Sequence, residues 1–454
     1  MHILPRSDPV HPVSRLLLRC QQTYPVYLVY ANLLRAKMKI KHSFLSFIFY
    51  AIPVVVVLSW WAFAFNPKNS DPIPSYIPYA NKQKDVPPII KYLSLIQRET
   101  LHTALSGDYH MMIKLITDWD HDAQIMEQFG MQDVKRLSKK DFLRSQLLAR
   151  QINSSSPEEL DILHDYFRVS HVVDDNGNLF DLSKTYRRFL PQSYVAASFL
   201  LALSEPESLV ALPRGMREQK NIFPQKITQL IALDADRYNA EKLYEARPEI
   251  AFVADYSHPS TVQALQNQGI PLFTLKHVNS PEEIKNALIR IGNLVNRPLE
   301  AELLNFFVEA AMQAIDNRFK ILNASFNSPE TSPKVLFLKH HLTFSTPTGN
   351  TLTGKLLKRM GVKNLFGDES ISNKSAWTIP IHQEQILEIS PDYIIICTNC
   401  INSSKSNILK QPVFHMLANK QIAFIDDALQ DSPSQYMVLA YYDIFKALTY
   451  ANMP

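Results

Sequence analysis

Glycine is scarce, with 10 residues in a chain of 454. That argues against a fold built on many glycine turns. Cysteine is scarcer still, at three. Cys20 stands alone, while Cys397 and Cys400 form the motif CTNC. In an oxidising compartment that pair is either a disulfide or two unpaired thiols at a strand end. A redox motif fits less well, because it usually sits where a helix starts and the following INSSKSN reads as loop. Charged residues make up only 20% of the chain. The net charge of +4 is uneven: residues 1–65 carry seven basic residues against Asp8 alone, which leaves −2 for the rest. Such a balance gives no nucleic-acid surface. No Ser/His/Asp or Cys/His constellation can be placed, so nothing in the sequence supports catalysis.

What is present is apolar content of 46%, the level of a globular chain. A length of 454 residues calls for two or three folding units. Phe44–Phe65, FLSFIFYAIPVVVVLSWWAFAF, holds no charge, and about 20 apolar residues suffice to span a bilayer. Lys37, Lys39 and Lys41 precede it and only Lys68 follows closely. The positive-inside rule then puts the N-terminus in the cytoplasm and the remainder outside. We read an uncleaved anchor at 44–65 behind a basic region at 1–43. A cleaved signal sequence, with Met38 as the true start, is the alternative. Either way residues 66–454 cross the membrane.

Residues 66–84 read as a polar, proline-containing linker, and 87–165 as several amphipathic helices. SPEELDILHDYF opens like a capped helix at Ser156. Asp118–Asp122, DWDHD, reads as a solvated loop between helices rather than as a metal site. Near residue 168 the texture changes. VSHVVDDNGNLFDL predicts a hairpin around Asn176-Gly177. SLVAL, EIAFVA and PLFTL, then KVLFL, YIIIC and IAFID, alternate with helical segments and predict parallel βα units. Between these sets, Pro298–Leu322 predicts a helix roughly 37 Å long at 1.5 Å per residue. GNTLTGKL (Gly349–Leu356) is one residue short of a phosphate-binding loop, since Leu356 replaces the Ser or Thr that would hold magnesium.

Together VVDDNGNLFDL, RRFLPQSYVAASFLLAL, GIPLFTLKHVNSPEEIKNALIRIGNLVNRPLEAELL, TLTGKLLKRMGVKNLFGD, Trp377 and IHQEQILEISPDYIII resemble the periplasmic substrate-binding proteins of iron–siderophore and vitamin B12 ABC importers. The resemblance covers about 168–454. It implies an α/β fold of class III periplasmic binding protein type: two lobes, 168–297 and 323–454, each with a central mostly parallel sheet, joined by one long helix at 298–322. A transmembrane segment and a helical extension at 66–167 would precede them. It implies an iron–siderophore held between the lobes and handed to an inner-membrane ABC permease, with cobalamin or haem as alternatives. It implies no enzyme, no resident cofactor and no bound metal of its own. Other readings are a membrane-anchored sensor or scaffold on the same fold, or an NTPase or hydrolase, against which Leu356 argues.

Loops beyond the strand ends should build the cleft. Tyr194, Tyr256, Phe344 and Trp377 offer flat apolar contacts, and Arg214 and Arg217 suit carboxylates or iron-bound oxygens. His258, His340, His341 and His382 raise metal binding, with a single axial His onto haem or cobalt the stronger form, and Thr348 and Asn350 lie in the Thr/Gly loop. Glu241 and Glu384 head two echoing phrases, EKLYEARPEIAFVA and EQILEISPDYIIIC. By resemblance they are the charges, one per lobe, that dock on permease arginines. Read without it, they are acidic groups near helix starts.

Overall fold

The computed structural model describes residues 87–235, 240–276, 278–323, 332–340, 343–366, 376–389, 391–398, 408–417, 421–430 and 433–449. The apolar run at 44–65 lies outside them. Among the described residues no helix is long and apolar enough to cross a membrane.

Four helices come first: α1 (Arg98–Leu105), α2 (Tyr109–Gln128), α3 (Lys139–Ser154) and α4 (Pro157–Phe167). Asp108, Ser138 and Ser156 cap α2, α3 and α4 by accepting backbone N–H groups, and Ser156 with Glu159 forms a capping box. DWDHD is not a loop. It lies inside α2, where Asp122 is 3% exposed and paired with buried Arg318 at 2.7 Å. The charge expected to need water is met by a guanidinium and by the backbone N–H of Ser94 at 2.9 Å.

The hairpin follows as β1 (His171–Val173) and β2 (Leu179–Asp181), with Gly177 at φ +85° in the turn. Asp174 closes that turn by accepting the N–H groups of Asn176 and Asn178. The first main sheet is parallel and ordered β3-β4-β5: Phe189–Pro191, Ile250–Ala254 and Leu272–Leu275. Helices α5 (Tyr194–Leu203), α6 (Ala240–Glu245), α7 (Pro259–Asn267) and α8 (Pro281–Leu294) connect and flank it. SLVAL contributes only isolated bridges, at Leu209 and Leu212. Helix α9, Pro298–Leu322, comes next.

The second sheet is mixed. Parallel β11-β10-β6 (Gln421–Asp426, Tyr393–Thr398, Lys334–His340) continues through antiparallel β7 (Phe344–Pro347) and β9 (Thr378–Ile381), and β8 (Lys363–Asn364) pairs β6. Helices α10 (Leu352–Met360), α11 (Gln383–Glu388), α12 (Pro412–Met416), α13 (Asp427–Gln430) and α14 (Met437–Thr449) complete this part. Alternate residues of β6 and β10 enter different cores. Val335, Phe337 and Ile395 face the main core, whereas Leu336, Leu338, Ile394 and Ile396 face a second one with Phe414 and Phe424. Burial on both faces explains why these strands read as unbroken apolar runs.

The sequence boundary at 168 does not separate two cores. Leu101, Leu105, Met112, Leu115, Trp119 and Leu148 share one core with Leu299, Leu303, Phe307 and Ile315 of α9. Removing one partner of a buried ion pair strands the other charge. Asp122→Ala should therefore destabilise the protein by about 3–5 kcal/mol, read as a lowered denaturant midpoint. A loss below about 1 kcal/mol would contradict the pairing of Asp122 with Arg318.

Candidate functional site

The carboxyl ends of β4 and β5 in the first sheet and the segment after β11 in the second border one cleft of about 540 Å³. One wall follows β4 and β5: Ala254, Asp255, Tyr256, Leu275, Lys276, Val278 and Asn279, with Val195 of α5. The other is built by Thr351 and Leu352 at the start of α10, by Trp377, and by Gln430 and Pro433 after β11. This is where the strand-end rule places a ligand. The volume lies within the roughly 300–1,000 Å³ of small-molecule sites.

Two of the expected residues meet here. Tyr256 is 68% exposed and Trp377 is 56% exposed, both large aromatics presented to solvent. The Tyr256 hydroxyl is tucked against buried Ser193, and loss of solvent around it raises the phenol above its ordinary range. Trp377 is held from behind. The Thr348 N–H donates to the Trp377 carbonyl at 2.9 Å, and the Thr348 hydroxyl and Asn350 amide donate to the Ala376 carbonyl at 2.6 and 3.0 Å. Thr348, 2% exposed, and Asn350 thus shape the cleft rim without lining it.

The near-miss phosphate motif has a structural reason. Thr351 caps α10 by accepting the Gly354 N–H, and a Cβ at Gly354 would lie 2.1 Å from the Thr348 carbonyl oxygen. Glycine there lets the helix start lie directly on the loop that carries the rim. Leu356 is fully buried in the core.

Five expected contacts are placed elsewhere. Phe344 is a core residue, because FSTP forms β7 antiparallel to β6 and packs Phe344 against Phe414 at 5.7 Å. Arg217 is engaged internally. Its guanidinium donates to the Ile231 and Leu233 carbonyls and pairs with Asp234, pinning 231–234. Tyr194 lies under the same loop, donating its hydroxyl to the Arg214 carbonyl while its ring meets Phe223. Arg214 is exposed beside it, outside the cleft lining. His258 caps α7, its Nδ1 accepting from the Ser260 N–H at 3.3 Å.

Lys276 and Gln430 are the notable omissions from the sequence reading. Lys276 lines the cleft with no ion-pair or side-chain hydrogen-bond partner among the described residues. The rule that pointed to the loop after EIAFVA applies equally to PLFTL, which ends at Leu275 directly before it. Gln430 accepts from the Thr353 hydroxyl at 3.1 Å, joining the end of the second sheet to α10.

Glu241 and Glu384 occupy matching places. Each is exposed in the first turn of a six-residue helix, α6 or α11. Each precedes by nine residues (241 to 250, 384 to 393) the middle strand of a three-strand parallel set. Cys397 is buried at the end of β10 and its thiol donates to Asp427 at 3.0 Å. Cys400 lies outside the described residues, so the CTNC pairing is not described. Among the described residues no group of His, Cys, Asp and Glu is arranged to hold a metal ion.

A family model described as periplasmic binding protein matches residues 214–429. Solved structures similar to the chain include the periplasmic heme-binding protein RhuT from Roseiflexus sp. RS-1, with 18% identity over 59% of this chain and 100% of that one, TM-score 0.48. Another is a possible iron-binding (periplasmic solute-binding) protein from Staphylococcus epidermidis, 20% identical over 58% and 99%, TM-score 0.47. A third is the periplasmic heme-binding protein HutB of Vibrio cholerae, 20% identical over 57% and 98%, TM-score 0.45. No curated protein matches the chain. The family match bears out the resemblance read from the sequence: residues 214–429 are similar to the periplasmic binding protein family.

Proposed function

We propose that this chain is the periplasm-facing solute-binding component of an ABC importer. It captures a bulky metal chelate, an iron–siderophore or haem, between two lobes, 168–297 and 323–454, that are joined by the helix at 298–322. The observation that carries this reading is the cleft itself. It opens between the carboxyl ends of β4 and β5 and the segment after β11, and exposed Tyr256 and Trp377 stand on its two walls with Lys276 beside Tyr256's wall.

The chemistry follows from those groups. Exposed aromatic rings in an apolar cleft gain free energy when a flat or bulky apolar surface displaces water from them. An ammonium with no partner among the described residues attracts carboxylate or iron-bound oxygen, and the charge-assisted bonds offset the water it loses when covered. Haem, planar and carboxylated at one edge, meets both requirements, as does a siderophore with anionic oxygens around its iron. Cobalamin is the alternative of the same kind. Nothing in such a site activates a nucleophile or polarises a bond, in keeping with capture and release.

Release needs a permease, and we assign docking to Glu241 and Glu384. Their equivalent positions, one per lobe, suit a permease with two-fold symmetry. The anchor at 44–65 would keep the protein beside that permease.

Two outcomes test the reading. For whichever of haemin or a ferric siderophore binds, Trp377→Ala and Lys276→Glu should each weaken affinity at least tenfold by equilibrium titration. Unchanged affinity in both variants would remove the ligand from this cleft. Glu384→Arg should abolish uptake by cells while leaving affinity intact, and normal uptake would refute the docking role.

A further inference from the structure

The helices at 98–167 do more than precede the lobes. They run along α9 and tie to it repeatedly. His164 meets Glu300 at 2.8 Å, and Arg144 grips Glu302 through two bonds at 2.8 and 3.0 Å. Lys135 pairs with Asp316 at 3.0 Å, and buried Asp122 pairs with buried Arg318. Glu300 lies in the first turn of α9 and Arg318 in its last two turns, so the ties span most of its length.

Helix α1 goes further and touches both α/β units at once. The Arg98 guanidinium donates to the Asn221 carbonyl at 3.2 Å on the first unit and pairs with Asp443 of α14 at 3.5 Å on the second. His102 Nε2 donates to the Ile222 carbonyl at 2.8 Å, while its ring stacks on Tyr436 at 5.8 Å. Burial lowers the His102 pKa, and the Ile222 carbonyl that accepts from the ring opposes that shift. Gln435 closes the junction. Fully buried, its amide donates to the Ser198 carbonyl of α5 at 2.7 Å and to the Leu105 carbonyl of α1 at 3.3 Å. One side chain from the second unit therefore bonds the first unit and the N-terminal helices together.

We infer that residues 94–167 are a clasp that fixes both α/β units on α9 and so sets the width of the cleft before any ligand arrives. The argument rests on the two-lobe reading above but not on the identity of the ligand. Rotation of one unit against the other would break the bonds of Arg98 or Gln435 on one side and leave a buried amide unpaired, which disfavours the rotated state. Without these helices α9 would be held only by its contacts with α8, α10 and α14. Here its outer face is held as well.

The test is amide hydrogen exchange on the full chain without ligand, comparing wild type with Arg98→Ala and, separately, Gln435→Ala. A clasp predicts that exchange rises together, at least tenfold, in 98–105, 221–223 and 437–445. A rise confined to 98–105 would overturn the inference and make these helices an appendage. Arg98 has a side chain 16% exposed, so Arg98→Ala keeps the test decisive should Gln435→Ala fail to fold. Because no ligand is used, failure here leaves the binding proposal untouched, and the reverse holds too.

Discussion

The structure depends on burying a helix that is not apolar all round. Most of the 25 residues of α9 are buried, and these include Glu300, Asp316, Asn317 and Arg318. Ionised groups cannot be buried alone, so each of these has a partner outside α9. Asp316 is the densest case. It meets Lys135, Arg359 at 3.1 Å and the Tyr441 hydroxyl, joining the N-terminal helices, α10 and α14 at one carboxylate. Burial pulls the Arg359 guanidinium down, yet Asp316 and Glu309 hold it above its ordinary range, so it stays charged. Lys285 of α8 completes the chain by pairing with Glu309 at 2.8 Å. The elements around α9 are thus specified by charge as well as by apolar area.

That arrangement also explains how the cleft is positioned. With α9 and its neighbours fixed, the carboxyl ends of β4 and β5 are held facing the segment after β11. The cleft needs only side chains at its walls: Tyr256 and Lys276 on one, Trp377 and Gln430 on the other. The rim segment carrying Trp377 is itself secured by Thr348 and Asn350, whose bonds go to backbone carbonyls at 376 and 377. Gly354 matters for the same reason, since its missing side chain lets α10 seat on that segment.

Much of this was legible in the sequence, and the exceptions have a common cause. Five of the six apolar runs became strands, and α9 spans Pro298–Leu322 as the helical spacing of Leu299, Leu303, Phe307 and Ala310 required. SLVAL did not become a strand, its pairing being limited to single bridges. Local pattern places apolar faces but does not reveal which polar group a distant helix will neutralise. Asp122 looked solvated because Arg318 lies 196 residues away. Arg217 looked available because nothing local shows that three groups between 231 and 234 would engage it. Phe344 looked like a loop aromatic because a short antiparallel strand with one neighbour on each side leaves little periodicity to read. Tyr256 was legible because it follows the carboxyl end of β4, whereas Trp377 precedes β9 and came from the family resemblance rather than from that rule. Lys276 was equally legible by that rule but was passed over.

If one chelate is held per chain between the two strand sets, calorimetric titration of the full chain with haemin, a ferric hydroxamate, a ferric catecholate and cobalamin should show saturable binding of at least one of them at one molecule per chain, abolished when Tyr256 and Trp377 are both replaced by alanine. Absence of binding by all four, or binding that the double replacement leaves unchanged, would contradict it.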